Sequence, residues 1–527
     1  MAAQPEHEQS IRGAFGTISA HDSQTRRGWR ARVLTLLAII GPGLIVMVGD
    51  NDAGGVSTYA QAGQNFGYTL LWTLPLLIPV LIVNQEMVAR LGAVTGVGHG
   101  RLIRERIGRT WGLISVGSIL LLNFLIIMTE FIGISLSMRY FGVPPVVSVP
   151  VAIVTLFLVT STGSFRRWER FMMIFVATNV LVIPLVLHTH VAAGSLATGL
   201  VIPAVRGGIN SASVLLIISI IGTTVAPWQL FFQESNIVDK RISPRWLNYE
   251  RVDTIIGSFI VVAVAALLIG ATAAGISRFG GTNAFTNSLD VARLLGRHVG
   301  RAAGAFFALI LLNASVVGAA TVTLASSYAL GDLSPRFSQG LDTPLREAKG
   351  FYGVFAALLV AAGAVTLVPH APLGVITLAV QALGGLMLPS TSIIVLLLAN
   401  DREALGPWAN PRWLNAIAVV IVAVLVVLST VLMVSTLFPH VNVVALLVVL
   451  SSVVGVGVLV GLPIGLRRAG PRQPFEGDRR DWRTPRLALL APPAPTRARR
   501  WLLRANATYL AVAGLLLIVR IVQVATS

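Results

Sequence analysis

Apolar runs of about 20 residues, separated by short polar or basic stretches, follow one another from residue 33 almost to the C-terminus. One such run crosses the ~30 Å hydrocarbon layer of a bilayer as a helix. The boundaries predict spans at 33–65, 68–92, 111–140, 146–163, 170–187, 211–234, 253–276, 302–330, 352–368, 372–399, 414–437 and 441–466. A short amphipathic helix is expected at 288–297. A last apolar stretch, 506–525, is a candidate thirteenth span, with Arg520 inside it as the argument against. Residues 1–32 read as a cytoplasmic tail whose first 25 residues are disordered and lack the apolar core of a signal peptide, and 467–504 as a basic, Pro/Arg-rich linker.

Two spans interrupt the pattern. The first reaches Gly49-Asp50-Asn51-Asp52-Ala53-Gly54-Gly55 about halfway through and then resumes, with Gly54-Gly55 read as the point where the helix opens. A lipid-facing Asp near the bilayer centre costs about 2.5–3.5 kcal/mol, so both carboxylates must face protein, water or a cation. The sixth span breaks at Gly222-Thr223-Thr224-Val225-Ala226-Pro227-Trp228-Gln229, where Pro227 removes a backbone donor and disfavours helical dihedrals at Ala226. Broken segments in corresponding places of two five-span halves point to a midplane site in an inverted-repeat transporter. The halves are 33–187 and 211–399, followed by 414–466. An odd number of spans per half turns the second half upside down.

Composition and charge sharpen this reading. The chain is 55% hydrophobic and 12% charged over 527 residues, which fits an all-α polytopic membrane protein. Its net charge of +18 would suggest nucleic acid in a soluble protein, but the arginines sit in alternate loops: Arg26 to Arg32, Arg90 to Arg109, Arg166 to Arg170, Lys240 to Arg251, and Arg336 to Lys349. That is the positive-inside pattern, and it places the N-terminus in the cytoplasm. Arg293, Arg297 and Arg301 are the exception. The absence of cysteine excludes thiolate metal sites. An Asp50-x-Asp52 pair could serve a membrane glycosyltransferase, but such an enzyme needs a sizeable soluble loop or domain, and the loops here are short. An amino-acid symporter would not set carboxylates at the break, where a substrate carboxylate needs amide donors.

The residues then carry a resemblance. Gly41-Pro42-Gly43, followed by Asp52-Ala53-Gly54-Gly55, Gly63 and Phe66-Gly67-Tyr68, resembles the first-span pattern of the Nramp divalent metal transporters, centred on Asp-Pro-Gly-Asn. Ala89-Arg90-Leu91-Gly92-Ala93-Val94-Thr95-Gly96, and Gln381 with Leu388-Pro389 and Asn400-Asp401-Arg402, are similar to later phrases of that family. The resemblance covers most of residues 34–410 and implies the LeuT-like five-plus-five inverted repeat with spans 1 and 6 broken, plus two or three C-terminal spans. It also implies a transporter in the plasma membrane, not an enzyme, with a metal ion as cargo and no cofactor. Nucleic acid is not a partner, the bilayer is, and a monomer is expected.

Departures from the family set the expected chemistry. Its Met-Pro-His is Ala226-Pro227-Trp228 here, Gln233 replaces a second His, and Gly55 replaces the Asn. The soft thioether that favours late transition metals is gone, leaving the oxygen donors that suit Mg²⁺ and Mn²⁺. Asp50 adds a carboxylate, and Ala226 and Gly55 are expected to leave room for water, as Mg²⁺ dehydrates reluctantly. This matches the Nramp-related magnesium transporter branch. The candidate ion site is Asp52, Asp50, Gly55, Thr223, Ala226, Trp228 and Gln381, with Trp228 as a wall and Pro227 as a breaker only. Asp52 is either a ligand or a cap on the half-helix at Gly54, and Asp50 belongs either to the ion's outer sphere or to the vestibule. Glu86, Glu130 and Gln233 are permeation or proton-path candidates, the two acids alternatively being held by Asn84, Asn123 or Thr129. One acid of the family's third-span pair is Ile127, so the usual proton relay is incomplete. The expectation is uptake of Mg²⁺, and also Mn²⁺, driven by the membrane potential alone at about 4.6 kcal/mol per 100 mV for a divalent ion. The alternative is a proton-coupled Mn²⁺/Fe²⁺ Nramp transporter.

Overall fold

The computed structural model describes the chain apart from residues 1–9, 20–21, 23–25, 278–284, 335–339, 369–371, 439, 469–474, 476, 492, 494–495 and 527. Part of the tail expected to be disordered is folded. Ile11–Gly13 (β1) and Gly16–Ile18 (β2) form an antiparallel hairpin whose Ile11, Ala14 and Ile18 are buried. It packs on Trp29–Ile39 (α1), with Gly13 and Gly16 against Ala38, a closeness that a Cβ would prevent. The polar composition of the tail's first 25 residues conceals this apolar triplet. Residues 1–9 of the tail, and Arg336 in its loop, lie outside the described residues.

The first span is interrupted twice rather than once. α1 meets Pro42–Gly49 (α2) at a 55° bend, where Gly41 has φ +152° and Pro42 opens the new helix. The second interruption is Asp50-Asn51-Asp52, after which Ala53–Phe66 (α3) begins. Gly54 and Gly55 are helical, so the opening lies just ahead of the glycines: an Asp at the N-cap starts a helix more decisively than Gly stops one.

The remaining elements follow the expected order. Thr73–Thr95 (α4), His99–Arg106 (α5), the 32-residue Arg109–Tyr140 (α6), Pro145–Thr160 (α7), Phe165–Thr178 (α8) and Val182–Thr189 (α9) complete the first half. Ala193–Val201 (α10) is a helix in a loop read only as polar. Ser211–Thr224 (α11) and Pro227–Asp239 (α12) are the two halves of the sixth span. Leu247–Gly275 (α13), the amphipathic Ser288–His298 (α14), Arg301–Leu333 (α15), Lys349–Thr366 (α16) and Leu373–Ala399 (α17) follow, α17 running unbroken through Pro389. The short Arg402–Leu405 (α18) leads to Arg412–Leu437 (α19) and Val443–Arg468 (α20). Among the described residues ten helices are long and apolar enough to cross a membrane, joined by the interrupted first span and the shorter α7.

Burial shows which surfaces meet lipid. α6 and α15 lie along each other at the centre, and α13 covers α2, α3 and α4. On α20, Val448, Val453, Val456 and Leu459 are all exposed, as are Val151, Val154 and Leu158 on α7. Apolar surface of that extent is stable only in hydrocarbon. The stretch 467–504 is more than a tether: Thr484 donates to the carbonyls of Val94 and Ala404, and the Trp408 indole donates to the carbonyl of Arg479. The last helix starts earlier than expected, at Arg497–Thr526 (α21), and the Tyr509 hydroxyl binds the Leu386 carbonyl of α17. The side chain of Arg520 lies outside the described residues.

Candidate metal-ion site

Two helix ends and the middle of α6 meet at a buried polar centre. Asp52 has extended backbone, and its Oδ1 accepts the Gly55 N–H at 2.6 Å, closing the first turn of α3. A carboxylate there also meets the positive end of the helix dipole. The same helix end receives a second acid, because Glu130 of α6 accepts the Ala53 N–H at 3.0 Å. Asp52 and Glu130 thus share one helix end, one accepting the Gly55 N–H and the other the Ala53 N–H. Thr223, in the last turn of α11, donates to Asp52 Oδ1 at 3.4 Å. Asp50, Asp52, Thr223 and Glu130 are all buried.

Small residues set the spacing. A Cβ on Gly55 would lie 2.8 Å from the Asp50 carbonyl oxygen and 3.0 Å from the Thr223 hydroxyl, so Gly55 is where the two breaks touch. The room for water expected beside it is taken up by these two oxygens. Gly54 is bare on the side occupied by the Gln381 amide, and Gly222 lets α11 lie against Gly385 of α17, which brings Gln381 to the centre. Trp228 is a wall: its ring covers Gly49, 3.1 Å from where a Cβ would stand, and packs edge-on against Phe232. Ala226 is buried and supplies no donor.

The centre is not electrostatically closed by the protein. Among the described residues, both oxygens of Asp50, Oε1 of Glu130, Nε2 of Gln381 and Nε1 of Trp228 are buried without a hydrogen-bond partner. Buried polar groups are normally paired, and leaving one unpaired costs about 1–3 kcal/mol, more for a charged group. Among the described residues no group of three or more His, Cys, Asp or Glu forms a metal-binding cluster, so an ion here depends on amide, hydroxyl and carbonyl oxygens beside its carboxylates.

Both breaks and Gln381 lie within residues 43–435, which match the sequence profile of the family described as natural resistance-associated macrophage protein-like, Nramp. The chain belongs to the Nramp family. Nramp proteins are metal-ion transporters rather than enzymes, and the metal is cargo rather than cofactor. The chain is similar to the "Divalent metal cation transporter MntH" of Staphylococcus aureus strain Mu3, 25% identical over 422 residues covering 76% of this chain and 91% of that one. The protein of the same name from strain JH9 matches to the same extent. Among solved structures, the Eremococcus coleocola manganese transporter in complex with an aromatic bis-isothiourea substituted compound aligns with a TM-score of 0.60 at 21% identity, over 85% of this chain and 98% of that one. A mutant of the same transporter aligns at 0.61 and 20% identity, over 87% and 98%. The shared fold is the LeuT-like architecture of Nramp transporters.

Not every expected site residue reaches the Nramp centre. Glu86, just past the middle of α4, pairs with Arg90 at 3.0 Å and Arg251 at 2.7 Å, which makes it an ion-pair anchor between α4 and α13. Gln233 donates to Glu250 at 3.1 Å and Thr254 at 2.9 Å, beside Asp253, which accepts from the N–H groups of Gly41, Gly43 and Leu44. It therefore supports the start of α2. The partners expected for Glu130 are engaged elsewhere: Asn123 binds Ser326, and Thr129 the Ile126 carbonyl. Three residues near the breaks were not foreseen. The Tyr59 hydroxyl meets Thr224 at 2.7 Å, tying α3 to the end of α11, and Thr321 of α15 faces Gly49. Tyr59 lies seven residues after Asp52, on one helix face, a spacing that could have pointed to it.

Proposed function

We propose that this Nramp protein carries divalent metal ions across the plasma membrane, binding them at Asp52 and Asp50 with Gln381, Thr223 and backbone carbonyls of the two breaks. The observation that carries this reading is the pair of buried Asp50 oxygens with no partner among the described residues, beside a capped, oxygen-lined helix break. A cation supplies the missing charge. Relatives named divalent metal cation and manganese transporters support the ion class. The donor set is oxygen only, which favours Mg²⁺ and Mn²⁺ over soft late metals. Mg²⁺ is the first substrate in this reading because Ala226 withdraws the family's thioether, and the ion keeps part of its water. The driving force is the membrane potential, the N-terminus is cytoplasmic and the monomer is the working unit.

One observation favours a second reading. Glu130 and Asp52 meet at the N-terminal end of α3, accepting the Ala53 and Gly55 N–H groups, and a proton shared by two acids so placed relieves their repulsion. A metal arriving at Asp52 would displace that proton, which is the elementary step of a proton-coupled Mn²⁺ transporter. Uptake of Mg²⁺, Mn²⁺ and Ca²⁺ into liposomes with a pH dye inside separates the readings. Uncoupled Mg²⁺ transport leaves the dye flat, whereas acidification matching the metal flux gives the second reading its place. No uptake of any of the ions sinks both.

A further inference from the structure

α21 carries two kinds of surface on one face. Arg497, Arg500 and Arg504 are spaced by three and four residues, and the same stripe continues through Ala507, Ala511 and Gly514. The three arginines are exposed, and none is in an ion pair among the described residues. Arg499, off that stripe, ties this end of the helix down, donating to the Arg106 carbonyl at 2.9 Å. Arg106 in turn grips Asp401 through two hydrogen bonds. The arginine stripe is therefore held in place by a neighbour and left without a counter-charge of its own.

Further along α21, from Ala507 onward, a cavity of about 290 Å³ lies between α6, α17 and α21. Leu121, Leu122, Leu383, Met387, Ala511 and Gly514 line it. Trp501, exposed beside Arg504, marks the level of the membrane interface, where indoles collect. An apolar slot lined by α21 from Ala507 onward, on a helix whose preceding turns carry Arg497, Arg500 and Arg504 along the same stripe without counter-charges among the described residues, is complementary to one kind of molecule. It offers hydrocarbon contact to an acyl chain and charge-assisted hydrogen bonds to a phosphate.

We propose that this groove is a binding site for an anionic phospholipid, with the headgroup on Arg497, Arg500 and Arg504 and one acyl chain between α6, α17 and α21. The bound lipid touches the helix that carries Glu130 and the helix that carries Gln381, so its presence bears on how firmly the two are held.

The test is native mass spectrometry of the full-length protein in micelles doped equally with phosphatidylglycerol and phosphatidylcholine. The parent is expected to retain one phosphatidylglycerol in preference. An arginine near an anionic lipid surface is worth about fivefold in binding, so the Arg497→Gln/Arg500→Gln/Arg504→Gln variant should lose phosphatidylglycerol by about a hundredfold. Ala511→Trp, which fills the slot without touching the charge, should lose both lipids. Equal retention of the two lipids by the parent, or retention of detergent alone, overturns the proposal. So does parent-like binding by the triple variant, whose exposed positions leave folding unaffected, or by a monodisperse Ala511→Trp protein.

Discussion

The two broken spans meet the same demand by opposite means. The first break is acidic and capped by a side chain: Asp52 closes α3 and Asp50 stands beside it with no partner among the described residues. The second is neutral, ends its helix at Thr224 with Val225 bonded back to Ile221, and restarts because Pro227 has no N–H to satisfy. Charge is thus concentrated on one half of the repeat, while the other supplies hydroxyls and shape. In a site built this way, changes at the first break alter whether an ion binds, and changes at the second alter which ion binds.

The hardest test of that division is Asp52→Ala. Removing the carboxylate that would meet the cation directly should weaken metal binding by about 3 kcal/mol or more, so metal uptake into liposomes should fall at least about a hundredfold while the purified protein stays monodisperse. Substantial remaining uptake would end the assignment of Asp52. Asp50→Asn keeps shape and removes charge, and isothermal titration should show about tenfold weaker metal binding; unchanged affinity would move Asp50 out to the vestibule.

At the second break the expected effects are smaller and concern selectivity. Ala226→Met restores a thioether next to the oxygen donors and should raise Cd²⁺ binding relative to Mg²⁺ by several-fold, about 1 kcal/mol. Competition of Mg²⁺ against Cd²⁺ uptake in the parent and the variant measures it, and an unaltered competition curve would mean that Ala226 does not face the ion. Thr224→Val is the mildest, losing only the hydroxyl that meets Tyr59. A stability loss of about 1 kcal/mol with unchanged ion preference is expected, read by thermal unfolding alongside uptake.

The spans and the position of both interruptions were legible because hydrocarbon tolerates so few polar residues that Asp50, Asp52 and Pro227 stand out. The direction of individual side chains was not. Glu86 and Glu130 look alike in the sequence, each an acid within an apolar run. Only packing shows that Glu86 faces Arg90 and Arg251 while Glu130 reaches across to Ala53. Gly54 and Gly55 suggested a flexible opening, yet their use is close approach, to Gln381 and to the Asp50 carbonyl, and that depends on partners more than 300 residues away or just across the break. The hairpin at Ile11–Ile18 is too short for a periodicity to declare itself.

That hairpin has a bearing on the order in which the chain is assembled. Ala14 donates to Glu169, which pairs with Lys240 at 2.6 Å, and Lys240 holds the carbonyls of Ile39 and Ile40. This hairpin thus depends on a partner 155 positions later, and the cation that completes it comes later still. During synthesis the hairpin can meet α1 at once, but its tie through Glu169 to Lys240 has to wait until the sixth span has been made. Non-local contacts of this kind form late because the intervening loop must close before they gain anything. The seating of the hairpin is then a mark of a finished chain, and resistance of residues 10–18 to protease would report that both halves of the repeat have come together.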